Sequence, residues 1–435
     1  MQSPEWIMTS RVLRRSGFGT TGLRVDEIVA RGDLSSSVAQ LLEAQFDEDR
    51  GLLATPLPTF GPANPPGDRS ESATAQFLKK RDQQIRELRS WWVRRMILTD
   101  EPIREKLTLL WHNHFATSNS GVRSVNLMAI QNETIRQGCL GDFRALAYSM
   151  LTDGAMLRWL NGNSNSEKSP NENLAREFLE LFALGHGGGY SENDIREGAR
   201  ALTGWVVTDE DQTEFVPHRH DAKIKKILGS EGFHDTSSFC DIVLARPQSA
   251  TFVVSRFWQQ LASDKPPSKQ TVELLEAAYG ENRNLKSLTH AALNAADFRG
   301  SDGTVVNGPV DYLIGLHRTL KVPVDPRVGL EIANTLRSLG QDPFYPPSVG
   351  GWPGGQAWLS TSAAGIRIKA AMKAVERGDI SAVEDAAESE RIDAVAYFLG
   401  IGAWSDRSAR ALSDLKRNSS KLVVAASNTP EYLTT

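Results

Sequence analysis

Cysteine is nearly absent: Cys139 and Cys240 are the only two in 435 residues. Two thiols far apart in sequence allow at most one disulfide, which excludes a disulfide framework and a cysteine-type zinc site. Long apolar runs are missing as well. No stretch approaches the ~18 residues a membrane helix needs. The opening MQSPEWIMTSRVLRRSGFG carries basic residues with no apolar segment behind them, so it does not read as a signal peptide. Cytoplasmic residence is the default expectation, with export alongside a partner left open. An excess of one charge is also lacking: 49 Lys and Arg stand against 53 Asp and Glu, a net −4, which argues against a general nucleic-acid binder. Familiar catalytic signatures are absent too. GHGGGY at 185–190 has the glycines of a phosphate loop, but it follows a helix and lacks the Lys-Ser/Thr ending. There is no G-x-S-x-G and no H-E-x-x-H.

What is present is a globular balance, 40% apolar and 23% charged, with enough chain for one large or two ordinary domains. Helical periodicity dominates, for instance over 24–48, 72–98, 101–115, 141–160, 247–263, 269–279 and 326–339, and Gly and Pro clusters separate the segments. The proline-rich 53–70 reads as an extended loop, and Val206 to Thr236 has room for a short hairpin. The expectation is a mainly α, irregular multi-helix fold with long loops and at most a small hairpin. It divides into a motif-bearing domain over 1–245 and a C-terminal helical domain over 246–435.

The most informative stretch is 169–205, SPNENLAREFLELFALGHGGGYSENDIREGARALTGW. Ser169-Pro-Asn-Glu172 has the pattern of a capping box with Pro170 at the first helical position, and Gly185 sits where a left-handed cap is wanted. A helix over 170–184 would carry apolar residues over about 160° of its circumference, so it should be buried on most sides. Asn173, Arg176, Glu177 and Glu180 fall together in the remaining gap. Either they form a narrow solvated face with Arg176 and Glu180 paired, or they line a cleft.

Two further groups could share that cleft. In EPIREKLTLLWHNHF (101–115), capped by Asp100, His114 lies on the apolar face and His112 on the opposite, solvated side. A histidine so placed is more often a satisfied core residue than a ligand. In FVPHRHDAKIKKILG (215–229), His220 and Asp221 have the chemistry of divalent-metal ligands, though the spacing makes no closed four-ligand site and a solvated loop is equally compatible. Glu177, Glu180 and His114 would then be acid–base groups and Arg176 an anion clamp. His114, His220 and Asp221 could hold a divalent metal. In GGWPGG (350–355), Trp352 is an anchor or a stacking platform.

The segments WHNHFATS, NENLAREFLELFALGHGGGYSENDIREGARALTGW, HDAKIKKILG and PPSVGGWPGG together resemble the large bacterial family known as domain of unknown function 1800, over nearly the whole chain. The family pattern falls on His114, Asn173, Arg176, Glu177, Glu180, Trp205, His220, Asp221, Lys225, Trp352 and Gly354. This chain departs from it at Lys223, where a glycine is frequent, and at Phe182, where some members have histidine. Asn173, Lys225, Trp205 and Trp352 are thereby candidates for substrate contact. The resemblance implies no agreed activity. It does imply gene neighbours of a sulfatase-like exported family, and so an anionic, sugar-derived substrate. Two functions follow as expectations: a hydrolase- or lyase-like enzyme with a His/Glu cleft, or a non-catalytic helical partner or assembly factor for a sulfatase-like protein.

Overall fold

The computed structural model describes residues 2–43, 48–62, 70–300 and 305–435. The fold is mainly α. Among the described residues, ladders of paired strands occur only as two short antiparallel hairpins, Trp205–Val207 with Thr213–Phe215 and Lys225–Ile227 with Ser230–Gly232. The 206–236 region therefore holds two hairpins where one was expected. Residues 56–62 form no regular element, and 63–69 of the expected loop lie outside the described residues.

Long periodic segments fold as their pattern dictates, as in Glu71–Leu98 and Lys269–Tyr279. The 24–48 segment breaks into Gly22–Val29 and Leu34–Leu42, with 44–47 outside the described residues. The 141–160 segment breaks at Asp153, whose carboxylate accepts the Met156 N–H at 2.8 Å and starts a new helix. Five helices escaped the periodicity: Pro4–Ser16, Thr236–Leu244, Arg391–Phe398, Asp406–Ser413 and Ser419–Ala426. Four of the five are opened by side-chain caps, from Ser3, Asp235, Ser405 and Asn418.

Two buried cores interleave along the chain. One draws on residues from Val12 to Phe298, including the helix Pro247–Leu261. The other joins Glu71–Leu98 to the 306–432 region, with Pro326–Ser338 lying along the long helix. Gly329 permits that approach, since a Cβ there would stand 2.6 Å from Ser90 Oγ. Arg89 Nε crosses the interface to donate to Asp342 at 2.7 Å.

The helix Ile103–His114 is wedged between these cores, and every residue of it except Arg104 and Asn113 is buried. Leu107 and Leu110 enter the first core and Leu109 the second, each contributing roughly 1.5–3 kcal/mol by burial. A helix with two buried faces has no solvated side, which is why His112 is 1% exposed rather than solvated as expected. Asp100 does not cap this helix. It pairs with Arg50 at 3.2 Å, while Asp49 accepts the N–H groups of Asp100 and Glu101. Inside, Glu105 accepts from Arg136 Nε at 2.6 Å and Trp92 Nε1 at 2.9 Å, tying three helices together through one buried carboxylate.

Candidate functional site

The 169–190 segment starts later than its sequence suggests. Ser169 bonds back to Ser166, Asn171 donates its N–H to Asn165 Oδ1 at 2.9 Å, and the helix begins at Asn173. The Glu172 side chain makes no capping bond, so the expected capping box does not form. After Glu177 the backbone widens into a π-helix over Phe178–Ala183. Leu184 and Gly185 then both donate to Leu179 O, at 3.0 and 3.1 Å. Such turns occur often at functional sites. Gly185, Gly187 and Gly189 all have positive φ, at 82°, 74° and 79°, as the turn reading requires.

The π turn leaves the Phe182 carbonyl to His114, whose Nε2 lies 3.0 Å away. That bond places the proton on Nε2 and leaves Nδ1 with its lone pair. His114 is 3% exposed among the rings of Trp111, Phe115 and Phe143. Burial, with the nearby Arg256 charge, pushes its pKa down to about 3, so the ring is neutral. One cavity of about 370 Å³ is lined by His114, Glu180, His186, Arg256 and Gln259. Histidine 114 and glutamate 180, from separate segments, thus meet at one hollow.

The rest of the polar stripe faces outward. Asn173 is exposed and Glu177 half-buried, and neither lines the cavity. Burial raises the Glu177 pKa, and the Glu180 charge adds to it. Arg176 is already engaged by Glu192 at 2.7 Å, Glu172 at 3.0 Å and Glu180 at 3.5 Å. Its charge is thus shared among three carboxylates, one of them Glu180. Glu180 also stands 3.5 Å from Nδ1 of the exposed His186.

The His-Asp loop is built into a different place. Asp221 is 4% exposed and held by Arg200 at 2.7 Å, which keeps its carboxyl below the usual range against the cost of burial. His220 Nδ1 meets the Thr203 carbonyl at 2.9 Å. Lys225 is 1% exposed, with its ammonium on the carbonyls of Asp221 and Lys223, and burial lowers its pKa. It folds inward onto the backbone of its own loop. Among the described residues no three His, Cys, Asp or Glu side chains converge as a metal site, so the set His114, His220 and Asp221 does not assemble. Trp205 is half-buried on its hairpin and donates to Thr236 Oγ1 at 2.9 Å.

Trp352 lies in the wall of a second cavity of about 370 Å³. Its N–H donates to Asn113 Oδ1 at 2.7 Å, which seats the GGWPGG turn on the His114 helix. Gly351, at φ +89°, is required there, because a Cβ would fall 2.3 Å from the same oxygen. Trp352 is 5% exposed, an anchor rather than an open stacking platform.

Sequence reasoning missed Arg256, Gln259, Asn113 and His186. Arg256 had a signal: it is the only charged residue in Pro247–Leu261. Its Nη2 donates to Gly350 O at 3.1 Å, and burial alone lowers its pKa, with no carboxylate compensating among the described residues. A half-buried guanidinium in a cavity wall offers the donors that an anionic group accepts from.

No curated protein and no solved structure matches the chain. A family model described as "Protein of unknown function (DUF1800)" matches residues 11–434, and the chain belongs to that family.

Proposed function

We propose that this chain is an acid–base enzyme of the hydrolase or lyase type, acting on an anionic, sugar-derived substrate in the chamber of His114 and Glu180. The observation that carries the reading is the meeting of His114, Glu180 and Arg256 at one cavity. Arg256 holds the substrate's anionic group, since its charge has no carboxylate partner among the described residues. Glu180 takes and returns the proton, with Arg176 orienting its carboxylate and the exposed His186 passing the proton to water. His114 is too weakly basic to be the principal base. Its neutral Nδ1 accepts a hydrogen bond from a substrate hydroxyl and fixes the pose.

The test is a turnover screen of carboxylated and sulfated saccharides with the wild type, Glu180→Gln and Arg256→Met. Loss of general acid–base help should lower kcat by about 10²–10⁴-fold in Glu180→Gln with KM little changed, and Arg256→Met should chiefly raise KM. A Glu180→Gln protein as active as wild type sinks the reading, as does a wild type that turns over none of the panel.

The alternative, a non-catalytic partner or assembly factor for a sulfatase-like protein, is supported by apolar side chains beside the hairpins. Phe233 is 78% exposed and Ile224 54%, and exposed apolar groups mark interaction surfaces when they cluster. On that reading Phe233→Ser with Ile224→Ser abolishes co-elution with the sulfatase-like protein, while Glu180→Gln changes nothing.

A further inference from the structure

The two cavities share a wall. Arg256 and Gln259 line both, so the chamber of His114 and the chamber of Trp352 lie to either side of one guanidinium. The catalytic proposal uses only the first.

The amide oxygens of Asn113, Gln260 and Gln341 in the second chamber are already engaged. Asn113 Oδ1 takes the Trp352 N–H, Gln260 Oε1 takes Asn113 Nδ2 at 2.8 Å, and Gln341 Oε1 takes the Val310 N–H at 2.9 Å. Asp311 is paired with Lys106, and the exposed Asp264 accepts the Val306 N–H at 3.4 Å. On Gln260 and Gln341 the donors are what remain. Gln341 keeps its Nε2 group, and Arg256 makes one bond to Gly350. Behind them, Trp352 Nε1 and Gln260 Nε2 are buried in the same wall with no partner among the described residues. Unmet buried donors carry a desolvation cost that an acceptor-rich ligand relieves.

We propose that the second chamber is an oxyanion subsite, so that the substrate is a molecule of at least two units with a carboxylate or sulfate on each. One unit reacts at Glu180 with its anion on Arg256; the next places its oxyanion against Gln341 and the Trp352 wall. This rests on the proposed function and extends it to a poly-anionic substrate class.

Calorimetric titration on the full chain tests it, with galacturonate, digalacturonate and a disaccharide sulfated on both rings as probes. A dimer that fills both chambers should bind at least tenfold tighter than the monomer. Gln341→Glu and Gln260→Glu keep the oxygen that accepts Val310 or Asn113 and replace the donor by an acceptor. Each should bring the dimer down to the monomer's affinity and leave the monomer unchanged. The two dimers decide between a carboxylate and a sulfate ester. The proposal is overturned if neither dimer binds tighter than the monomer, or if both variants bind the dimers as wild type does. A monomer lost in Arg256→Met with no gain from the dimers would remove this subsite and leave the catalytic reading standing. Tighter dimers together with an active Glu180→Gln protein would do the reverse.

Discussion

At pH 5 the buried imidazole of His112 should cost the folded protein about 2 kcal/mol that a phenylalanine would not. His112 is enclosed by Trp92, Phe344 and Trp352, with ring centroids at 5.5, 5.7 and 5.5 Å. Neither ring nitrogen has a partner among the described residues. Burial pushes its pKa from 6.5 down to about 4. A depressed histidine pKa means the unfolded chain binds the proton first. Stability is therefore complete above pH 6.5 and is lost as the pH falls toward 4. At pH 5 the unfolded chain is almost fully protonated at this site and the native state hardly at all, which gives about 2 kcal/mol at 1.36 kcal/mol per pH unit. His112→Phe removes that loss and fills the same aromatic box. Urea unfolding of both proteins at pH 8 and pH 5 measures it. The fall in stability between the two pH values should be about 2 kcal/mol smaller in the variant. An identical fall in both proteins would refute the reasoning, because His112 would then carry its proton in the native state.

Two further stability predictions follow from buried carboxyls. Asp153 is buried, and burial raises its pKa to about 7 against the opposing bonds from Met156 N–H and Gln131. A raised acid pKa costs stability as pH climbs from about 4 to about 7, so Asp153→Asn, which can still cap its helix, should stabilise the protein at pH 8 and not at pH 4. The gain at pH 8 has a ceiling of about 4 kcal/mol, and thermal unfolding at the two pH values checks it. Glu105→Gln leaves the buried Arg136 guanidinium, now 2.6 Å from its carboxylate, with only the partly exposed Glu133 as a charged partner among the described residues, and should cost up to about 3–5 kcal/mol. A Tm within a degree of wild type would show that the network does not hold the three helices together.

Much of the architecture was legible because it depends on local order. The 28-residue helix Glu71–Leu98 and the helix Lys269–Tyr279 follow from periodicity and caps, and the glycine turn at 185–189 from the need for positive φ. Helix starts were less legible. Ser169-Pro-Asn-Glu172 has the residues of a capping box, yet Asn165 and Ser166 compete for the same backbone groups and delay the helix to Asn173. The π turn at Phe178 has no pattern of its own, and it is what frees the Phe182 carbonyl for His114.

The candidate site was half legible. His114 and Glu180 could be named because each sits at a readable position on its own helix. Arg176 looked like an anion clamp only because Glu192, which neutralises it, lies on another helix. The sequence shows Arg256 as the single charge of its helix, but not that it would have no carboxylate partner among the described residues.

The order of residues alone determined that this chain is helical, where most helices run, and which side chains are chemically able to act, since periodicity and capping are properties of neighbours in sequence. Tertiary packing decided which of those side chains meet. Wedging Ile103–His114 between two cores buried both histidines, and the fold gave Arg176 its partners and withheld them from Arg256. Whether a charge is spent or available depends on what lies across the interface, and that distance is not written in the local sequence.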